Sequence, residues 1–409
     1  MSRRPTRLLA VLAAVALIAT ACSSSSTSTS SPSTSSVSLG AKHEATGTPI
    51  TMGFISPGKS ATTDESNETA AAQAAVQYVN GYSNGANGHP IKLVTCSTLE
   101  TSTGATACVN QMIQANVAGV LLGVEGVGNL VEPPLEAAGI PYIITEAGSQ
   151  AELLGTMTYN LTSSIAGLAG GPALYAQTHK MTQVTTVVLG LPTLAGAYQA
   201  FGPIPFKKVN IGYNTISVPV GTPDVTPQVQ TALQGKPQML MIAGDPGFCQ
   251  SVLKAQKTLG FTGTIAVIQQ CLDSSTASAV GSLQGVISPT FYNTNSPQFK
   301  VFLALLGKYA PGTSSGGAAP DGFSVVVSFA DAMTMGNLAS VDVKGVNSAM
   351  TAAKNVPLAL GGGTTFSCGS KPVPLLPSVC SGGINIATLD ASGATASSAI
   401  VDVSPLYQP

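Results

Sequence analysis

Six acids, Asp64, Glu65, Glu125, Glu146, Asp245 and Asp273, stand just beyond short apolar runs in a chain with only 9% charged residues. Carboxylates gathered in such loops can hold a cation or the hydroxyls of a polar solute. Singly they can also cap helices, as Asp64 and Asp273 would do from their places ahead of helical patterns. Enzyme signatures are scarce. Gly312-Thr313-Ser314-Ser315-Gly316 has G-x-S-x-G spacing, but a nucleophile elbow needs a strand running straight into the turn. Here Pro311 and Gly317 flank it instead. No H-E-x-x-H or Walker sequence occurs, and the glycine-rich stretch from Gly123 to Gly128 lacks full G-x-G-x-x-G spacing. It reads as a strand-end loop whose bare backbone, Gly126, Val127 and Gly128, can approach a ligand. His43, His89 and His179 form no ligand-spaced set with the cysteines, so neither a metal nor another cofactor is expected. The residues propose binding, not catalysis.

The seven cysteines divide into one and six. Cys22 follows a basic leader (Arg3, Arg4, Arg7) and the uncharged run Leu8–Ala21. That run falls short of the ~20 apolar residues of a membrane-spanning helix and suits the apolar middle of an export signal. Residues 1–21 therefore read as a signal peptide, and residues 22–47, opening with a Ser/Thr tract, as a flexible tether. Ala19-Thr20-Ala21-Cys22 resembles the lipobox of bacterial lipoproteins, with Ala19 in place of the usual leucine. The resemblance implies lipidation of Cys22 and an extracytoplasmic chain anchored to the cell membrane; an ordinary signal cut near Ala21 is the alternative. In an exported chain the even remainder, Cys96, Cys108, Cys249, Cys271, Cys368 and Cys380, implies disulfides. Six cysteines allow fifteen pairings; sequence proximity favours Cys96–Cys108, Cys249–Cys271 and Cys368–Cys380.

Apolar runs alternate with alanine-rich helical stretches, the pattern of a doubly wound α/β sheet. Strands are predicted at Ile50–Ser56, Ile91–Cys96, Gly119–Val124 and Tyr142–Thr145, with helices at Glu65–Tyr82, Gly104–Ala115 and Leu130–Ala138, the last interrupted by Pro133 and Pro134. A second series restarts at Ile165 and runs to a strand at Gly285–Phe291. At 409 residues the chain exceeds what one core usually holds. Two lobes with a hinge and an interlobe cleft are expected, residues 48–162 plus about 291–362 and residues 163–290 plus about 363–409. Net charge of -1 without basic clusters argues against nucleic acid. Ligands of open α/β sheets bind beyond the carboxyl ends of strands. That rule points to the loops Pro57–Asp64, Glu125–Asn129, Glu146–Ser149, Leu191–Gly196, Asp245–Gly247 and Gln270–Ser274.

From Ile50 to about Tyr292 the chain resembles the leucine/isoleucine/valine-binding family of type I periplasmic solute-binding proteins. The pieces that carry the resemblance are ITMGFISPGKS with AAAQAAVQYVNGY, HPIKLVTC, GVLLGV with PPLEAAGIPYII, the stretch from Met239 to Ile268, and GVISPTFY. DGFSVVVSFADAM, from Asp321, resembles the family's later helix beside the cleft. The resemblance implies a monomeric carrier that closes on a small polar or amino-acid-like ligand and delivers it to an ABC permease. A ligand-sensing lipoprotein presenting its closed form to a receptor is the alternative. A disulfide in the position of Cys96–Cys108 is in keeping with the family. By resemblance, Gly126 to Gly128 would offer backbone amides to the ligand, and Glu146, Ala147 and Ser149 would line the next loop. Where relatives that bind amino acids place a tyrosine, this chain has Leu191-Pro192-Thr193-Leu194. Where they place an acid for the ligand ammonium, it has Gln269-Gln270-Cys271, leaving Asp245 or Asp273 to substitute.

Overall fold

The computed structural model describes residues 37–60, 64–273 and 275–408. The signal segment, Cys22, the start of the tether and Ser274 lie outside the described residues.

Short buried runs form parallel strands because both of their faces are covered by helices. In the first lobe these are β1 (Ile50–Ser56), β2 (Ile91–Ser97), β3 (Val120–Leu122), β4 (Tyr142–Ile144) and β5 (Thr158–Asn160). Between them run α1 (Ser66–Tyr82), α2 (Ser102–Gln114), α3 (Gly128–Ala137) and α4 (Gln150–Leu154). The second lobe begins with α5 (Ser164–Thr178), β6 (Gln183–Leu189), α6 (Pro192–Phe201), α7 (Pro203–Lys208) and β7 (Gly212–Val218). It continues through α8 (Thr226–Gln234), β8 (Met239–Ala243), α9 (Pro246–Thr258), β9 (Thr264–Val267), α10 (Thr276–Val280) and β10 (Ile287–Thr290). Then come α11 (Pro297–Tyr309), α12 (Ala319–Met335), α13 (Val343–Ala352), the small pair β11 (Val356–Pro357) and β12 (Thr365–Phe366), and finally β13 (Gly383–Leu389) and β14 (Thr395–Asp402).

The first sheet has the order β2-β1-β3-β4-β5, and the second contains the same permutation, β7-β6-β8-β9-β10, extended by β13 and β14. All pairs of the repeated unit are parallel; β13 and β14 join antiparallel. The chain passes between the sheets three times. The first passage follows β5, where Thr162 donates to the Thr145 carbonyl (2.6 Å) and Ser163 to that of Gly383 (2.9 Å). The second follows β10, where Asn293 N–H bonds the Leu360 carbonyl (2.8 Å). The third, at residues 381–382, lies beside the first: Cys380 N–H donates to the Asn160 carbonyl (2.8 Å). The lobes are interleaved, since α11 and α12 return to pack on α1 after the second lobe's main strands have been laid down.

Several expectations change. Residues 43–47 are not free tether; His43 N–H bonds Gly81 and Ala45 N–H bonds Asn80, holding them to the first lobe. The return to the second lobe comes at residues 381–382, not near 363. Ser378 is bonded to the Leu153 carbonyl, and Cys368–Cys380 closes a loop on the first lobe's side. α3 runs unbroken through Pro133 and Pro134. The carbonyls those prolines leave without N–H partners, at Asn129 and Leu130, belong to exposed residues where water can serve them. The expected loop Leu191–Gly196 is largely the first turn of α6, with Pro192 at a position where its missing N–H costs nothing. The remaining bridges are Cys96–Cys108, tying β2 to α2, and Cys249–Cys271, tying α9 to the turn after β9.

Candidate functional site

In a sheet ordered 2-1-3-4-5 the strand order reverses between the first and third strands, and the loops leaving those strands splay apart into a crevice. Here they are the loops after β1 and β3, faced by those after β6 and β8. Glu146, just beyond β4, is the meeting point. Its Oε2 accepts a hydrogen bond from Gln270 Nε2 of the second lobe (2.8 Å), and its own N–H is held by the Gly123 carbonyl (3.0 Å). Beside it stands Asp321, in the first turn of α12 and 1% exposed. Tyr292, at the second passage, donates to Asp321 Oδ1 (2.5 Å), while Asp321 Oδ2 has no partner. Glu68 of α1 accepts from the N–H groups of Gly123 (2.7 Å) and Val124 (3.1 Å). A side chain at Gly123 would drive into that carboxylate and into Asp321, so glycine is what allows α1, α12 and β3 to converge.

The electrostatics are one-sided. Burial, followed by repulsion from Glu100 and Asp321, raises the Glu65 carboxyl to about 7. Burial raises Glu146 to about 7 against the lowering effect of Gln270, with Glu65 adding repulsion. Burial and then Glu146 push Asp321 well above the ordinary carboxylate range. Glu125 rises to about 8, chiefly through burial.

The residues expected at the ligand divide into three groups. Glu146, Ala147 and Gln270 are central; the Ala147 carbonyl accepts from the Ser164 hydroxyl at the first passage. Glu125 turns inward, where both carboxylate oxygens accept from Thr98 Oγ1 (3.1 Å) and one also takes the Val127 N–H (3.2 Å). The Val127 amide expected to face a ligand thus serves Glu125. Gly126 is exposed, and Gly128 opens α3 directly against the Glu152 carboxylate. Ser149 builds a capping box with Glu152, which also accepts from Tyr142 OH (2.6 Å). Asp64, Asp245 and Asp273 are exposed. Asp64 pairs with Lys59 (2.6 Å), and this bond, with help from Ser66, lowers its pKa to about 2. Asp245 caps α9 through Phe248 N–H (2.8 Å), and Asp273 accepts from Ser275 N–H (2.8 Å) and Thr276 Oγ1 (2.8 Å). Asp321 and Glu68 were not among the expected site residues. An acid in the first turn of a largely apolar helix was the available signal for Asp321.

Three openings lie along the loops of the two lobes, and none of these three is lined by Glu146, Gln270 or Asp321. One of about 640 Å³ lies between Ser149 and Leu154 of the first lobe and Pro192, Gly196 and Phe201 of α6. A second, of about 800 Å³, shares Asn129, Pro192 and Thr193 with it and extends past Leu99, Leu130 and Leu191. The third, of about 460 Å³, is rimmed by Asp64, Asn67, Asp273 and the Gly312–Gly317 loop. Ser314 lies in that loop with its Oγ accepting from Gly316 N–H (3.3 Å), between two helices and without the strand an elbow requires.

Comparison with known proteins decides the family, because the periplasmic binding protein model matches residues 49–374. The chain belongs to the periplasmic binding protein family. Membership supports binding without catalysis. Solved structures agree on the fold of this periplasmic binding protein. A fatty acid ABC transporter substrate-binding protein from Thermomonospora curvata is 14% identical, with a TM-score of 0.70 over 91% of this chain and 97% of that one. A leucine-binding protein from Thermotoga maritima is 14% identical, with a TM-score of 0.67 over 86% and 99%. A solute-binding protein of an ABC transporter from Rhodopseudomonas palustris, in complex with 3,4-dihydroxybenzoic acid, is 17% identical, with a TM-score of 0.66 over 87% and 98%. No curated protein matches the chain.

Proposed function

We propose that this chain is a monomeric, lipid-anchored extracytoplasmic receptor that captures a small solute between its lobes and hands it to an ABC permease. The observation that carries the reading is the Glu146–Gln270 hydrogen bond at the carboxyl ends of two sheets joined by three passages. Loops so placed form a cleft that opens and closes by rotation about the passages. A solute shifts that equilibrium only by binding the closed arrangement more tightly. The names of the similar structures support transport by an ABC system. In this reading Glu146, Ala147 and Gln270 face the solute, with the Gly126–Gly128 loop, Glu125 and Ser149 shaping the first lobe's wall. Asp64, Asp245 and Asp273 close the rim. Cys22 carries the lipid, and residues 23–42 form the leash.

A thermal-shift screen of residues 38–409 tests the capture. A bound solute at 100 times its dissociation constant adds about 2.7 kcal/mol of stability. It should also reduce the radius of gyration in solution scattering. A solute that stabilises without compaction would refute hinge closure. Anchoring is tested separately: Cys22→Ser should move the full chain from the membrane fraction to the soluble one.

A further inference from the structure

We propose that a chamber of about 280 Å³ beside the second passage is a further binding site of this protein, built for a compact uncharged molecule with an apolar body and one oxygen acceptor, such as a cyclic ketone or alcohol. The site does not depend on the capture reading. It shares no lining residue with the openings of about 640 and 800 Å³, and only Gly316 and Gly317 with that of about 460 Å³.

Strand alternation creates the chamber. On β13, Ile384 and Ile386 pack toward α5, where Gly167 and Gly171 make room for them. Ala387 stands on the opposite face, paired with Ser288 of β10. Ser288, Thr290, Ala387 and Leu389 line the chamber from this side. Its other wall comes from the first lobe, as Phe299 of α11, Pro320 of α12 and the glycines just ahead of α12. Tyr292 and Thr294 of the second passage complete it; Thr294 Oγ1 donates to Thr395 Oγ1 (3.0 Å) at the exposed end. Walls drawn from both lobes make a guest selective for this arrangement of them.

The lining names the chemistry of the guest. Ser288 is 1% exposed and lines the chamber, yet its Oγ has no hydrogen-bond partner among the described residues. A buried hydroxyl left unpaired is costly, and a guest oxygen would take its proton. Gln269 lines the same space; its Oε1 accepts from the Thr290 hydroxyl, which leaves the Nε2 hydrogens for the same oxygen. Leu272, Phe299, Pro320 and Leu389 supply apolar wall for the rest of the molecule. No lining residue carries a charge. An ion would therefore enter without a counter-charge, at a desolvation cost that an uncharged molecule escapes. An engineered cavity of about 150 Å³ holds benzene, so this chamber has room for a substituted ring.

Methyl-resolved NMR of the lipid-free chain, titrated with cyclohexanone, cyclohexanol, cyclohexylammonium and cyclohexanecarboxylate, tests the site. The ketone and the alcohol should shift the methyl signals of Leu272, Ala387 and Leu389 and saturate at about 1–10 mM, the range open to so few atoms. The two ions should bind roughly tenfold more weakly or not at all. Ser288→Ala should weaken cyclohexanone about fivefold, the worth of one hydrogen bond. Ala387→Leu fills the chamber and should abolish binding of both neutral probes, with thermal unfolding of each free variant as the check on folding. Saturating shifts at Leu130, Leu154 and Leu191 without shifts at Leu272 and Leu389 would move the molecules to the other openings and overturn the site. Neutral probes that shift nothing would overturn it too, leaving a chamber for water alone. An ion binding as tightly as the ketone would overturn the uncharged class, and undiminished ketone affinity in folded Ser288→Ala would overturn the hydrogen-bond assignment.

Discussion

Replacing Glu146 by glutamine isolates the energetic consequence of burying an acid between two lobes. The variant keeps the size of the side chain and an oxygen for Gln270, but it cannot ionise. In the unfolded chain this carboxyl releases its proton near 4.5, whereas in the folded protein it does so at about 7. Between those values the folded state holds more protons than the unfolded one, so stability must fall as pH rises. The contribution is complete below 4.5 and lost by the time pH has passed 7. The separation corresponds to about 3 kcal/mol, of which about 2.5 kcal/mol falls between pH 5 and pH 8. Glu65 at the N-cap of α1, Asp321 on α12, Tyr198 and Tyr292 lie within electrostatic reach of the same carboxyl. Removing its charge also relieves Asp321. Urea unfolding followed by circular dichroism at pH 5, 6, 7 and 8 reads the effect. The native protein should lose stability steadily over that range, and Glu146→Gln should lose about 2.5 kcal/mol less. A variant whose stability declines as steeply as that of the native protein would refute the reasoning.

Other outcomes follow from the packing. Changing Cys249 and Cys271 together to serine opens a bridge spanning 22 residues; by chain entropy the protein should lose about 3 kcal/mol, read as a lower urea midpoint without reductant, where the other two bridges stay closed. In Gly123→Ala the new methyl would lie 2.3 Å from Glu68 Oε1 and 2.6 Å from Asp321 Cβ. Overpacking of about 1–3 kcal/mol is expected in thermal unfolding. Glu152→Ala removes the capping box of α4 and leaves the buried Tyr142 hydroxyl without its acceptor. That should cost about 3 kcal/mol in the same measurement, with Glu152→Gln recovering part.

The main strands are legible in the sequence because parallel strands covered on both faces become continuous apolar runs. β1 is the clearest case, at the predicted Ile50–Ser56. β5 is hidden for the opposite reason: Thr158–Asn160 is three residues long and largely polar, and its burial comes from β4 and from Val379 far along the chain. Glu146 could be found because it follows a strand, where cleft loops begin. Asp321 could not be placed by that rule, since it lies on a helix that reaches the centre only through packing on α1. The rim acids illustrate a different limit. An aspartate ahead of a helix has the same local sequence whether it caps or binds, and Asp245 caps α9 in the structure.

The interleaving of the lobes has a consequence for biogenesis. The inner face of α1 waits for α12, and Asn67 reaches its partner Gly316 only 249 residues later. The second sheet likewise waits for its last two strands. A polypeptide threaded amino end first through a translocation channel would have no finished half to jam the pore, and its apolar runs would depend on chaperones until nearly the final residue had crossed.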